Sequence, residues 1–345
     1  MEGVVLPRVY ACGRTSGGVT SKMETMLAFG PVPSRRLGRS LGINNIPPKV
    51  CTYSCVYCQL GRTLRLQARR GRFYEPAQIL DTVRDKVARA KAAGHVIDYL
   101  AFVPDGEPTL DVRLGQEIMF LKSLGLPMAV ISNASLIGQQ EVRDDLMKAD
   151  WVSLKVDAVE NETWRSISRP HGSLNLTSTL QGGLRFAQAY GGKLVTETML
   201  VAGVNDSEEH LRALSSYLAD LQPSTAYLSI PTRPPAEEWV RAPDERTLAR
   251  AYQIICEKVG DVETLFGYEG NAFAFTGNAE KDLLAITAVH PMREDAVMDY
   301  LTRAGAGWSA VRRLMAEGKL VKIEYGSHIF YLRRLRAPDT IAGAG

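Results

Sequence analysis

Six short apolar runs, separated by helix-like stretches, restrict the fold of this chain more than any other feature. The runs are Leu41 to Ile46, Tyr99 to Val103, Met128 to Ser132, Trp151 to Val156, Leu194 to Val201 and Tyr227 to Ile230. Each is rich in β-branched or aromatic residues and fits a parallel strand buried on both faces. Between them, Pro76 to Ala93 sets Ile79, Leu80, Val83 and Val87 on one helical face. Leu114 to Leu124, Glu141 to Lys148, Leu174 to Ala189 and Ser207 to Leu221 read as further helices. Asp206 or Ser207 can cap the last of these, with Glu208 and Glu209 in its first turn. Strands alternating with helices predict an α/β fold with a parallel sheet over about Phe29 to Gly270. Periodicity does not separate an open sheet from a curled partial barrel. In both, a site belongs at the carboxyl ends of the strands.

The pattern changes after Gly277. Residues 279–290, 293–304 and 308–317 read as three helices, with Gly305 and Gly307 ending the second. Leu320 to Tyr325 and His328 to Leu332 read as two short strands joined by Gly326-Ser327. Three helices and a β-hairpin predict a winged helix-turn-helix. Lys281 to Arg336 holds ten basic and six acidic residues, against 31 and 32 in the rest of the chain, so the net charge of +3 is concentrated here. The expected organisation is a disordered tail over 1–25, a core domain over 26–277, the winged module over 278–336 and a tail over 337–345.

Hydrophobic residues make up 45% of the 345 positions and charged residues 23%. That balance excludes a disordered, collagen-like or disulfide-scaffold chain. No apolar run reaches the ~18 residues of a membrane helix, and the N-terminus lacks the apolar core of a secretory signal. The expectation is a cytoplasmic protein with no membrane partner.

There are five cysteines, Cys12, Cys51, Cys55, Cys58 and Cys256, and three of them fall within eight residues. An odd, clustered set is a metal site before it is a disulfide framework. The cluster is Cys51-Thr52-Tyr53-Ser54-Cys55-Val56-Tyr57-Cys58, a C-x3-C-x2-C spacing. Three thiolates on one tight loop can hold three corners of a [4Fe-4S] cube and leave the fourth iron open. A structural zinc site would want a fourth Cys or His nearby, and the next histidine is His95. Cys12 reads as a bystander in the tail and Cys256 as a buried helix residue.

This spacing, with Tyr57 just before the third cysteine, resembles that of the radical S-adenosylmethionine (radical SAM) superfamily. The likeness continues along the chain. Asp105-Gly106-Glu107-Pro108-Thr109 follows the second strand, where that superfamily places a Gly-Glu element holding the methionyl amine. Ser132-Asn133 ends the third strand, where its members contact the ribose or carboxylate. Asp157, Glu197 and Asn205-Asp206 resemble further positions. The resemblance implies a partial parallel (β/α)6 barrel and a [4Fe-4S] cluster on Cys51, Cys55 and Cys58. It places S-adenosylmethionine against Tyr57, Gly106, Glu107, Pro108, Ser132, Asn133, Asp157 and Glu197. It also implies an electron donor of flavodoxin or ferredoxin type, and reductive cleavage to a 5′-deoxyadenosyl radical that abstracts hydrogen from a substrate.

The stretch Phe29 to Gly42 resembles the segment preceding the cluster in a group of Fe–S oxidoreductases related to wyosine synthases, which act on a guanine in transfer RNA. The cysteines for a second cluster are absent, so a pyruvate-using reaction of that type is not expected. Arg35, Arg36 and Arg39 precede the cysteines, and Arg62, Arg65, Arg69, Arg70 and Arg72 follow them. Forked guanidinium contacts to substrate phosphates are one reading. Arg312 and Arg313 on the third helix of the winged module are a second candidate contact. The expected function is radical chemistry on a macromolecule, with an RNA base as candidate substrate. The alternatives are radical modification or activation of a peptide or protein, and an iron-sulfur redox-sensing regulator that binds nucleic acid.

Overall fold

The computed structural model describes residues 26–266, 270, 271 and 273–334. The expected tails over 1–25 and 337–345, and Cys12, lie outside the described residues. The chain begins with a hairpin of β1 (Ala28–Ser34) and β2 (Gly38–Ile43), followed by the short strands β3 (Val50–Cys51) and β4 (Arg65–Leu66). Then come α1 (Pro76–Ala92), β5 (Tyr99–Phe102), α2 (Leu114–Lys122), β6 (Met128–Ser132), α3 (Gln140–Leu146) and β7 (Trp151–Lys155). Next are α4 (Asn161–Ser168), α5 (Leu176–Ala189), β8 (Lys193–Met199), α6 (Glu208–Leu221), β9 (Thr225–Ser229), α7 (Glu245–Cys256) and β10 (Val262–Leu265).

Local chemistry starts these helices where they start. Pro76 occupies the first turn of α1, where a missing N–H costs nothing. The side chains of Asn175, Ser207 and Asp244 accept from the backbone N–H groups of Ser178, His210 and Thr247, capping α5, α6 and α7.

One eight-stranded sheet has the order β1-β2-β5-β6-β7-β8-β9-β10, parallel from β2 onward, with β1 antiparallel at the edge. All six expected strands are in it, and β1 and β10 are additions. Pro31 and Pro33 in β1 argue against a strand, and only an edge position tolerates them. In β10 only Val262 and Leu265 are buried, so no apolar run announces it.

Side chains alternate between two environments. Met128 and Val130 of β6 join the core beneath α1, α2 and α3, whereas Ala129 faces an inner cluster with Ala101, Trp151, Val195, Tyr227 and Leu265. Leu37, in the turn between β1 and β2, is buried in that inner cluster. Beside it, Arg36 hydrogen-bonds Glu197 of β8. Four strand spacings separate β2 from β8, about 19 Å on a flat sheet, beyond the reach of an arginine side chain. The sheet is therefore curled into a partial barrel, and the hairpin turn fills its interior.

The remaining elements are α8 (Ala279–Val289), β11 (Met292–Arg293), α9 (Glu294–Arg303), α10 (Ser309–Ala316), β12 (Leu320–Tyr325) and β13 (His328–Arg333). The three strands form an antiparallel sheet in the order β11-β13-β12. The two-residue β11 is too short to read from sequence. The core of this segment includes Phe29 and Val32 of β1, so it is continuous with the hairpin. Lys86 of α1 bonds Asp282 of α8 at 2.5 Å, and the Tyr325 hydroxyl donates to the Pro231 carbonyl at 3.1 Å. Among the described residues, no helix is long and apolar enough to cross a membrane.

Candidate functional site

The cysteine loop lies at the carboxyl ends of the parallel strands. Cys51 ends β3, and the chain then turns tightly. Cys58 N–H donates to the Cys55 carbonyl at 3.1 Å and Gly61 N–H to the Cys58 carbonyl at 3.0 Å. The loop is pinned from the other side by Ser54 N–H and Val56 N–H, which donate to Ser168 O and Ile167 O of α4, both at 3.0 Å. Val56 is fully buried, in one apolar cluster with Tyr53, Trp164 and Ile167. The intervening residues therefore anchor the loop, and Cys51, Cys55 and Cys58 remain half-buried free thiols.

Two side-chain N–H donors reach these sulfurs. Asn133 Nδ2 lies 3.5 Å from Cys51 Sγ, and Lys49 Nζ lies 3.9 Å from Cys58 Sγ. Burial, reinforced by Glu107, pushes the Cys51 thiol up to about 12. Burial, then Asp157, pushes Cys55 well above its ordinary value. Thiols so disfavoured as bare anions ionise when a cation binds them. Among the described residues, no three His, Cys, Asp or Glu side chains are arranged to hold a single metal ion. A cubane cluster asks for something different, one thiolate at each of three separate irons, and three thiols on one anchored turn fit that requirement.

The first of two polar networks ties Cys51 to the strand ends. Glu107, 1% exposed, accepts from Thr109 N–H at 3.1 Å, Thr109 Oγ1 at 2.5 Å, Ser132 Oγ at 2.7 Å and Asn133 N–H at 2.7 Å. Burial raises its carboxyl pKa, and these donors work against that rise. Asn133 Nδ2 also donates to Thr52 Oγ1 at 2.7 Å, so one side chain touches both the first cysteine and its neighbour. Gly106 is pressed against the loop. A Cβ there would stand 1.8 Å from the Val50 carbonyl oxygen, so only glycine allows the approach. Pro108 heads the buried 3-10 turn Pro108–Leu110.

The second network lies across the barrel interior. The Tyr57 hydroxyl hydrogen-bonds Asp157 Oδ2, whose other oxygen accepts from Met199 N–H at 2.8 Å. Lys155 Nζ sits 4.8 Å from the centre of the Tyr57 ring, 3.2 Å from Glu197 Oε1 and 4.0 Å from Asp157 Oδ1. Ser229 Oγ donates to Glu197 at 3.1 Å, and Arg36 pairs with its other oxygen. Burial opposes ionisation of Glu197, but Arg36 and then Lys155 outweigh it and hold the carboxyl down at about 2. Asn205, fully buried, donates to the carbonyls of Asp157 and Met199 at 2.9 and 2.8 Å. It therefore braces the end of β7 beneath Asp157.

The structure thus brings Tyr57, Gly106, Glu107, Pro108, Ser132, Asn133, Asp157 and Glu197 around the cysteine loop. The arginines separate. Arg36 points into the barrel. Arg35 is exposed in the hairpin turn. Arg39 pairs with Asp98 at 3.3 Å, at the amino ends of the strands and away from the cysteines. Arg312 and Arg313 are exposed on α10, and Arg313 pairs with Glu280. Cys256, expected to be buried, is exposed at the end of α7, because its position falls on the outer face of that helix.

Sequence reasoning missed several residues here. Lys155 carried a signal, a lysine two positions before Asp157 in an otherwise apolar run. Lys49 carried none, being an ordinary loop lysine by sequence. Asp105 is 3% exposed, with Oδ1 lacking a hydrogen-bond partner among the described residues. Burial pushes its carboxyl up to about 7, against the pull of Lys49 and Arg333. Gln59, next to Cys58, donates to Val289 O at 2.8 Å and accepts from Arg233 at 2.9 Å. The cysteine loop is therefore bonded directly to α8.

Residues 45–214 match the radical SAM superfamily. A UPF0026 protein from Methanocaldococcus jannaschii is 42% identical over 315 residues, spanning 91% of this chain and 98% of that protein. A probable dual-specificity RNA methyltransferase from Microcystis aeruginosa is 26% identical over 226 residues, covering 60% of each chain. Among solved structures, a radical SAM methyltransferase from Sphaerobacter thermophilus shares the fold, with a TM-score of 0.50 at 17% identity over 66% of each chain. The chain belongs to the UPF0026 family within the radical SAM superfamily, and is an enzyme whose cofactors are a [4Fe-4S] cluster and S-adenosylmethionine.

Proposed function

We propose that this enzyme uses a cluster on Cys51, Cys55 and Cys58 to modify RNA by radical chemistry. The observation that carries the cofactor part is Asn133. Its side chain reaches Cys51 Sγ and its backbone N–H is held by Glu107, so the first cysteine and the strand-end groups form one hydrogen-bonded unit. When bound, the cluster and S-adenosylmethionine would supply the one-electron chemistry of the reaction, the electron coming from the external donor.

The chain's own residues divide the remaining work. Glu107 orients Ser132 and Asn133 and offers a buried carboxylate to the methionyl ammonium. Pro108 and Gly106 fix that turn. Tyr57, Asp157 and Glu197 border the nucleoside side, with Lys155 pairing with the two carboxylates and covering the Tyr57 ring. Burial keeps water from the reacting atoms.

The RNA reading is supported by the similarity to a protein named as a probable RNA methyltransferase and by the basic C-terminal segment. The element order α8-β11-α9-α10-β12-β13 supports a winged helix-turn-helix over 278–336 beside a core over 26–277. We place the enzyme in the cytoplasm with a flavodoxin- or ferredoxin-type donor. The test is anaerobic binding of S-adenosylmethionine to cluster-loaded Glu107→Ala and Asn133→Ala variants. Weaker binding with the cluster retained is expected in both. Wild-type affinity in both would refute the placement.

A further inference from the structure

The segment from Leu64 to Arg72 is a strap along the rim of the site. At one end Leu64 N–H and Arg65 N–H both donate to Lys49 O at 3.1 Å, and Gln67 N–H donates to Cys51 O at 3.0 Å. At the other end Gly71 N–H donates to Leu110 O at 2.9 Å, and Val112 N–H to Gly71 O at 3.0 Å. The strap therefore joins the cysteine loop to the turn that carries Glu107. Arg70 anchors it from within. Its guanidinium donates to Thr109 O and Asp111 O, both at 2.8 Å, and to Asp145 Oδ2 at 2.5 Å.

The other arginines of the strap have no such role. Arg65, Arg69 and Arg72 are exposed, and their guanidiniums make no hydrogen bond or ion pair among the described residues. Leu64 and Leu66, 42% and 40% exposed, flank Arg65. By contrast Arg36, Arg39, Arg62 and Arg70 are engaged by Glu197, Asp98, Glu237 and Asp145. Holding three uncompensated cations beside a reactive centre gains nothing for the fold, since surface charge without a partner contributes little stability.

We propose that this strap is the surface that grips the RNA substrate, with Arg65, Arg69 and Arg72 binding phosphates along one strand. The inference rests on the RNA reading above and adds the site of recognition. Three cations spread over the eight residues 65–72, at most ~24 Å end to end, suit a partner whose charge repeats along a line. Guanidinium forks match phosphate oxygens, and exposed leucines give apolar surface to unstacked bases. Phosphates held one strand away from Cys51 leave a base turned out of its stack facing the strand ends, as chemistry on a base requires.

The experiment measures binding of unfractionated transfer RNA to the cluster-loaded enzyme across a salt series, for wild type and for R65A/R69A/R72A. Loss of three phosphate contacts should flatten the slope of log K against log salt by about 2 and weaken binding about tenfold or more. Cluster absorbance and uncoupled cleavage of S-adenosylmethionine should match wild type, which excludes misfolding. An unchanged slope and affinity in the triple variant would overturn the strap while leaving the RNA reading intact. Absence of RNA binding by wild type would overturn both. Arginine-dependent binding of polyglutamate in place of RNA would replace the proposed partner with an acidic polypeptide.

Discussion

Adding one methyl group at Gly106 should unseat the cluster. In Gly106→Ala the new Cβ would lie 1.8 Å from the Val50 carbonyl oxygen and 2.8 Å from Ile46 Cδ1. Ordinary contact begins at 3.4 Å, so the Val50 carbonyl must retreat by 1.6 Å. It cannot retreat alone, because it accepts from Glu107 N–H at 3.3 Å and belongs to the strand that ends in Cys51. Overpacking of this kind costs about 1–3 kcal/mol, and a backbone obstacle belongs at the upper end because it has no rotamer to adopt. The shift would also draw Cys51 away from Asn133. The assay is urea unfolding of the apo-protein together with iron content after anaerobic reconstitution. A loss of about 2–3 kcal/mol and a clear loss of iron are expected. Wild-type stability with full iron loading in Gly106→Ala would show that the turn and the cysteine loop are not packed as described.

Other variants test the charged interior. Burial, with Asp111 adding to it, pushes Glu117 from 4.5 up to about 8. A carboxyl with a raised folded pKa gives the wild type stability that is full below about pH 4.5 and lost as pH climbs towards 8. Glu117→Gln should therefore gain on wild type between pH 5 and pH 8.5, by on the order of 3 kcal/mol, in denaturant titrations at the two pH values; a constant difference would refute the assignment. Arg36→Ala should destabilise the protein by about 3 kcal/mol, because it leaves Glu197 buried with Lys155 as its remaining cation. In a double-mutant cycle with Glu197→Gln, most of that cost should vanish; additive losses would mean the two side chains act independently.

Strand and helix alternation made the parallel sheet legible because buried parallel strands must be apolar on both faces. The same logic hid β10, where Glu263 and Thr264 are exposed at the edge. It also hid β1, whose prolines survive only because no partner needs their N–H groups. Glu107 and Asn133 stood out through the resemblance, whose Gly-Glu and Ser-Asn elements follow the second and third strands, and folding links the two to each other and Asn133 to Cys51. For Lys155 the sequence signalled only an odd charge near Asp157; its role depends also on Tyr57 and Glu197, which lie 98 and 42 residues away in sequence. Eight arginines around the cysteines were equivalent as letters. They became distinguishable only when folding placed Asp98, Asp145, Glu197 and Glu237 beside some and left Arg65, Arg69 and Arg72 without a carboxylate.

The most direct test of the account is 5′-deoxyadenosine release per chain after anaerobic reconstitution, measured with iron content for wild type, Cys51→Ala, Cys55→Ala, Cys58→Ala and Cys256→Ala. Wild type and Cys256→Ala should hold about four irons and release 5′-deoxyadenosine on addition of reductant and S-adenosylmethionine, and the other three variants should do neither. Stoichiometric zinc without visible absorption in the wild type, or undiminished release from any of the three loop variants, would contradict it.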